Sequence, residues 1–128
     1  MTRRLNMEKA LFDYISERAD ILEVSSASTQ VTKDAASAWK KAVKDDQSDA
    51  NVQEATKQFL DIMEGRPTSI DGVIAFAQGP AAGIFGEEAA AAMLEEQLKR
   101  KEAGAKYCNC EACTAATELL AKFGRIEL

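Results

Sequence analysis

Apolar side chains recur at three- and four-residue spacing along most of the chain, which is the period of one face of an α-helix. The first such segment carries Leu11, Tyr14, Ile15 and Leu22 on one stripe, and most of its acidic side chains lie off that stripe. Similar stripes follow, separated by short polar, glycine-containing or proline-containing segments. The spacing predicts helices over about 5–24, 32–45, 49–64, 70–77, 87–103 and 111–123.

No segment alternates apolar and polar side chains in the way that a half-buried β-strand does. The sequence therefore predicts an all-α protein, a compact bundle of five to six helices with short loops. The length of 128 residues suits a single helical domain over 1–128. Residues 80–86 are expected to form a small irregular piece between two helices.

Three residues carry specific expectations about packing. Thr32 is expected to be the N-cap of the second helix, because a threonine hydroxyl accepts a hydrogen bond from a free N–H in the first turn. Trp39 continues a stripe of alanines, so it is expected to be buried. The helix that contains Phe76 is apolar almost all round, which predicts that it is the most buried segment and that Phe76 is a centre of the core.

Composition and charge exclude several classes of function. The chain has no histidine, which removes Ser-His and Cys-His catalysis and histidine metal ligands. Its net charge of −5 argues against a nucleic-acid partner. The longest apolar runs, 73–77 and 89–94, are far shorter than the roughly 20 residues that span a bilayer, so no membrane partner is expected. Arg3 and Arg4 precede no apolar segment of the kind that a secretory signal contains.

All three cysteines lie close together in a C-x-C-x-x-C pattern formed by Cys108, Cys110 and Cys113. Their odd number and tight spacing argue against a secreted disulfide framework, so the cytoplasm is the expected compartment. The pattern falls between two predicted helices, with Cys108 in a loop, Cys110 near an N-cap and Cys113 near the first turn. Free N–H groups and the positive end of the helix dipole stabilise thiolates there, so the pKa values of these thiols are expected to fall.

Three thiolates near one point suit a soft or borderline metal such as Zn²⁺, Cu(I) or an iron–sulfur cluster. The preferred interpretation is a zinc ion held by Cys108, Cys110 and Cys113 in a structural or regulatory role, with no catalytic residue assigned. Structural zinc takes four ligands, so Glu111, another carboxylate, a water molecule or a second subunit would have to complete the site.

Two other interpretations of the cysteines stay open. Cys110-x-x-Cys113 at a helix start has the spacing of a thiol–disulfide pair, which would make the protein a redox enzyme or sensor. The cysteines could also be inert, in a helical interaction module that packs on a partner or forms a homodimer through an apolar helix face. An enzymatic function is the less favoured class.

Two further segments carry weaker signals. Asp71 precedes Gly72 in an otherwise apolar helix, where an acid usually interacts with the helix dipole rather than with a ligand. The glycines of 79–86 precede a helix, as in some phosphate-binding loops. However, no lysine and hydroxyl pair follows them, and Glu87 and Glu88 occupy the place where an anion would bind.

The segments Ile70–Ala77 and Gly104–Cys113 resemble a set of small, uncharacterised bacterial proteins. These share an aspartate–glycine apolar segment and a C-terminal G-A-K-Y-C-x-C-x-A-C motif, and some of them carry the label of the ninety-kilodalton heat-shock chaperone. The resemblance covers roughly residues 60–123 and implies that Cys108, Cys110 and Cys113 are the functional residues. A chaperone ATPase of that type needs a large nucleotide-binding domain with a β-sheet, which 128 helical residues cannot contain.

Overall fold

The computed structural model describes residues 9–127 and has an all-α fold over that range. The helices are α1 (Lys9–Val24), α2 (Gln30–Asp45), α3 (Asp49–Met63), α4 (Ile70–Gln78), α5 (Pro80–Phe85), α6 (Glu87–Glu102) and α7 (Glu111–Lys122). Within 9–127 there is no β-strand, although an isolated bridge joins Ser69 to Tyr107. The predicted fold class is confirmed. The predicted helix start, at residues 5–8, lies outside the described range.

The described residues form seven helices rather than five or six. The additional helix is α5, which occupies a segment that was expected to be irregular. It begins with Pro80 at its first position, where the missing N–H has no helical partner to lose. Gly86, with a φ of 94°, separates α5 from α6. A helix of six residues is too short to produce a periodic apolar stripe, so the pattern did not predict it.

The predicted N-cap of α2 is wrong by three residues. Thr29 is the N-cap, and its hydroxyl oxygen accepts a hydrogen bond from the N–H of Thr32 at 3.3 Å. Thr32 is buried in the first turn, and the two hydroxyl groups lie 3.2 Å apart. Both threonines can cap a helix, and capping by Thr29 lets the helix include most of another turn while Thr32 packs inward.

The larger apolar core lies between α1, α2, α3 and α7, which form a four-helix bundle. Its largest fully buried side chains are Ile15, Leu22, Phe59, Met63, Leu119 and Leu120. Trp39 is only 2% exposed and lies between Phe12 and Phe59, so its predicted burial is confirmed. The indole N–H donates to the hydroxyl oxygen of Thr56 at 3.0 Å, which satisfies the one polar group of the ring.

The helices α4, α5 and α6 pack on one another and form a second group, called here the α4–α6 group. Its core consists of the buried side chains Ile70, Val73 and Ile74 with Leu94, Ala105 and Cys108 packed against them. The prediction that α4 is the most buried segment is wrong, because this nine-residue helix leaves one face exposed. Phe76 is only half-buried and makes an edge-on contact with Phe85.

The helix α6 lies on the surface and buries only Ala90 and Gln97. Glu87 and Glu88 lie in its first turn and its basic residues lie in its last turn, which is the predicted order and the one that the helix dipole favours. Neither α6 nor another helix within 9–127 combines the length and apolarity that crossing a membrane requires.

Candidate metal centre

The cysteine motif begins where α6 ends. Gly104 has a φ of 98°, a left-handed conformation that strains residues with a β-carbon. This conformation reverses the chain, and the N–H of Ala105 donates to the carbonyl oxygen of Arg100 at 2.9 Å. The glycine therefore directs the segment that contains the cysteines back along the α4–α6 group.

The segment then pairs with the residues at the start of α4 and just before it. The N–H of Ile70 donates to the carbonyl oxygen of Lys106 at 2.9 Å, and the N–H of Cys108 donates to the carbonyl oxygen of Thr68 at 2.8 Å. These two bonds flank the isolated bridge. They fix the backbone of Cys108 beside the start of α4, where its side chain packs against the smaller core.

The remaining two cysteines belong to the start of α7. Cys110 is the N-cap, with φ −65° and ψ 162°, and its sulfur accepts a hydrogen bond from the N–H of Cys113 at 3.3 Å. Cys113 lies in the first turn and is buried. The predicted placement of all three residues on loop, N-cap and first turn is confirmed.

The sulfur atoms of Cys108, Cys110 and Cys113 all lie within 4.8 Å of one another. A tetrahedral zinc ion with zinc–sulfur bonds of about 2.3 Å separates its sulfur ligands by about 3.8 Å. The cluster is thus of a size that could hold a metal ion after small movements of the side chains.

Each of the three sulfurs accepts a hydrogen bond from a backbone N–H. Besides the bond to Cys110, the N–H of Cys110 donates to the sulfur of Cys108, and the N–H of Thr68 donates to the sulfur of Cys113, both at 3.4 Å. Such donors stabilise negative charge on sulfur. The backbone therefore favours thiolate character in the cluster, and Thr68 contributes to it from the segment just before α4.

The pKa values of the three thiols shift in different directions, because the thiols donate hydrogen bonds to one another. Donation from the Cys108 thiol, then from the Cys113 thiol, and backbone N–H groups lower the pKa of Cys110 to about 2. The pKa of Cys108 is raised, because its proton is held by the Cys110 sulfur first and the Cys113 sulfur second, and because burial disfavours its charge. The expectation that all three pKa values fall is therefore wrong, since one thiolate is stabilised by the protons of its neighbours.

No aspartate or glutamate side chain of residues 9–127 joins the three sulfurs in the cluster. Glu111, one of the expected candidates, is exposed and does not join them. The other ligands named from the sequence, a water molecule or a group from a second chain, are consistent with the partial exposure of Cys108 and Cys110.

A polar side-chain network from α6 reaches the residue between the first two cysteines. The Nε2 of Gln97 donates to the Oδ1 of Asn109 at 3.0 Å, and the Nδ2 of Asn109 donates to the Oε2 of Glu96 at 3.1 Å. Arg100 donates to the Oε1 of Gln97 at 2.7 Å. This group, Gln97, Asn109, Glu96 and Arg100, is called here the amide network.

Sequence reasoning did not predict the contributions of Thr68, Gln97 and Asn109. Thr68 lies 45 positions before Cys113, and a backbone N–H carries no signal in the side-chain pattern. The only signal in the sequence was a glutamine on a helix that is otherwise polar and alanine-rich. Only the packing of α6 shows that this glutamine faces inward.

The weaker sequence signals have structural explanations. Asp71 is exposed in the first turn of α4 and pairs with Lys101 of α6 at 2.6 Å, so it joins two helices. The glycine-containing segment 79–86 folds largely into α5 and does not form an open phosphate-binding loop. Glu87 and Glu88 follow it and are exposed.

The chain matches no protein-family model, no curated protein and no solved structure. The resemblance through the cysteine motif therefore stays a prediction. The interpretation of the cluster rests on its geometry.

Proposed function

We propose that the protein binds one soft metal ion, with zinc as the preferred ion, through Cys108, Cys110 and Cys113. The observation that supports this most strongly is the approach of the three sulfurs to within 4.8 Å of one another. Converging thiolates are the donor set that zinc and copper(I) favour. A water molecule or a donor from another molecule completes the coordination of zinc.

The proposed role is structural rather than catalytic. Within 9–127, no helix of the α4–α6 group packs closely against a helix of the four-helix bundle. Cys108 packs against the smaller core, whereas Cys110 packs against the larger one. An ion bound to both therefore ties together two cores that helix packing leaves separate. The proposal assumes a reducing compartment such as the cytoplasm, where thiols remain available to a metal.

The test is metal analysis of the full chain purified without chelator. We expect about one zinc ion per chain, because three converging thiolates form one site. Cys110→Ser should lose the ion, since it removes the central sulfur. Thr114→Ser is the matched control, because Thr114 lies in the same turn of α7 and is exposed.

Two outcomes would contradict the proposal. The wild-type chain would show no stoichiometric metal, even after reconstitution under reducing conditions. Alternatively, Cys110→Ser would retain as much metal as the control, which would place the ion elsewhere.

A thiol–disulfide function is the second candidate, favoured by the short sulfur separations and by the lowered pKa of Cys110. The Cys110 thiolate would attack a disulfide bond of the substrate, forming a mixed disulfide and releasing one of the two substrate thiols. Cys113 would then displace the second thiol and complete the intramolecular disulfide. Peptide mapping after treatment with oxidised glutathione would find this disulfide. Stoichiometric zinc that blocks its formation would favour the metal function.

A further inference from the structure

We infer that Gln97 is a positioning residue for the metal centre and acts through Asn109. The inference rests on the proposed function, because it concerns how the same sulfurs are held. Gln97 is only 4% exposed, although α6 otherwise buries only Ala90. Burying an amide costs free energy unless its donors and acceptor are satisfied. The contacts that Gln97 makes therefore explain its inward position.

Those contacts fix the orientation of two amide groups. Gln97 accepts from Arg100 and donates to Asn109, and Asn109 donates in turn to Glu96. Each amide thus uses its carbonyl oxygen and its nitrogen in different hydrogen bonds, so a rotated amide would lose both. The charged side chains at the two ends strengthen these bonds.

Asn109 is the one residue between Cys108 and Cys110, so its placement controls the angle between those two side chains. The backbone of Cys108 is held on one side by its pairing with Thr68. The amide network holds the following residue from the other side. Without the network, the peptide units around Asn109 gain freedom, and the sulfurs spend less time at the spacing that an ion needs. Partners that hydrogen-bond directly to metal ligands typically change metal affinity 10–100-fold. The amide network acts through the backbone of the intervening residue, so we expect an effect at the lower end of that range.

The experiment measures zinc dissociation constants of the full chain by competition with a chromophoric chelator. Gln97→Leu and Asn109→Ala should each weaken zinc binding by about 10-fold, the lower end of the range for outer partners of metal ligands. Gln58→Leu is the matched control, because Gln58 donates a hydrogen bond to Glu54 on its own helix but is exposed on α3. Its affinity should equal that of the wild type.

Two readouts separate positioning from general support of the fold. Cobalt-substituted Gln97→Leu at saturation should keep the wild-type sulfur-to-metal absorption, because the three thiolates are unchanged. The double variant of Gln97 and Asn109 should bind zinc no more weakly than the weaker single variant, because both substitutions remove the same contact. Asn109→Ala alters an exposed loop residue and remains informative if Gln97→Leu fails to fold.

Wild-type affinity in either variant, or losses that add in the double variant, would overturn the inference. Its failure is distinguishable from that of the proposed function. If the wild-type chain binds no zinc, the metal function itself fails. If the wild-type chain binds zinc and the variants bind it equally well, only the positioning role fails.

Discussion

Cys110 combines two roles that a sequence pattern rarely assigns to one residue. It is the N-cap of α7, and its sulfur lies in the cysteine cluster. Helix N-caps are usually serine, threonine, aspartate or asparagine, because oxygen accepts hydrogen bonds well. Sulfur accepts them weakly. The choice of cysteine here is therefore explained by the chemistry of the cluster rather than by helix stability.

Cys110→Ser is accordingly expected to separate the two roles. In the presence of chelator and at neutral pH its free energy of unfolding should be lower than that of the wild type, because the lowered pKa of Cys110 means that the folded protein stabilises a thiolate that serine does not supply. Urea titrations of both proteins with chelator measure this. Unchanged stability would show that serine caps α7 as well as the thiolate does and that ionisation of Cys110 contributes nothing to folding.

Zinc binding should weaken in acid. At neutral pH the lowered pKa of Cys110 makes it a thiolate, whereas the raised pKa values keep protons on Cys108 and Cys113. Zinc must displace those protons, so lowering the pH opposes binding by about 100-fold per unit, which corresponds to two protons. Calorimetry in buffers of different ionisation enthalpy counts the protons released. A release of no protons, or of three, would contradict this distribution of charge.

The hydrogen bond between Trp39 and Thr56 should be measurable in stability. Thr56→Val keeps the shape of the side chain but leaves the buried indole N–H without its acceptor. The expected cost is about 1–3 kcal/mol of unfolding free energy. Urea unfolding followed by circular dichroism would measure it, with the exposed Thr114→Val as the control. Equal stability of the two variants would mean that the indole finds another acceptor.

Among the helices, the sequence pattern predicts α6 and α7 closely because each ends in strong local signals. Gly104 and Gly124 follow them and adopt positive φ values, and the charges of α6 follow its dipole. The pattern fails for α5 and for the burial of α4. The sequence does not show whether a neighbouring helix covers an apolar side chain. The apolar pattern of α4 therefore predicted a central helix, although one of its faces is exposed. The sulfur cluster was predictable from spacing, whereas its support by Thr68 and Gln97 depends on tertiary packing.

Two phenylalanines test this difference between the helices. Replacing Phe59, which is 2% exposed in the larger core, by alanine should lower the free energy of unfolding by about 3–5 kcal/mol. Phe76→Ala should cost less, because the side chain is only half-buried in the folded protein. Chemical denaturation of both variants gives the comparison. Equal losses would show that α4 is covered by something beyond residues 9–127.

Over residues 9–127 the molecule contains two apolar cores, and the cysteine cluster lies where their chain segments meet. The larger core is shared by four helices, whereas the smaller one has three buried apolar residues at its centre. A small core of this kind contributes limited free energy to folding. We expect the α4–α6 group to depend more on the bound ion than the bundle does.

Removing the ion should therefore lower stability unevenly. Zinc at a thousandfold excess over its dissociation constant stabilises the folded state by about 4 kcal/mol. Hydrogen exchange after chelation should accelerate most in the α4–α6 group and least at the centre of the bundle. Cys108→Ser serves as the control, since its exchange should not respond to zinc. Uniform acceleration along the chain would mean that the two cores unfold as one unit.

The position of α7 in the chain also has a consequence for the order of events during synthesis. The hydroxyl group of Tyr14 on α1 donates to the backbone of Glu118 on α7, across 104 positions of sequence. Contacts between such distant segments form late, because the intervening chain must first be made and ordered. As the polypeptide leaves the ribosome, α1, α2 and α3 emerge with the surface for α7 still open to water. Cys110 and Cys113 acquire their spacing only when α7 forms, so we expect the ion to be captured only after α7 has emerged, later than the first three helices are made.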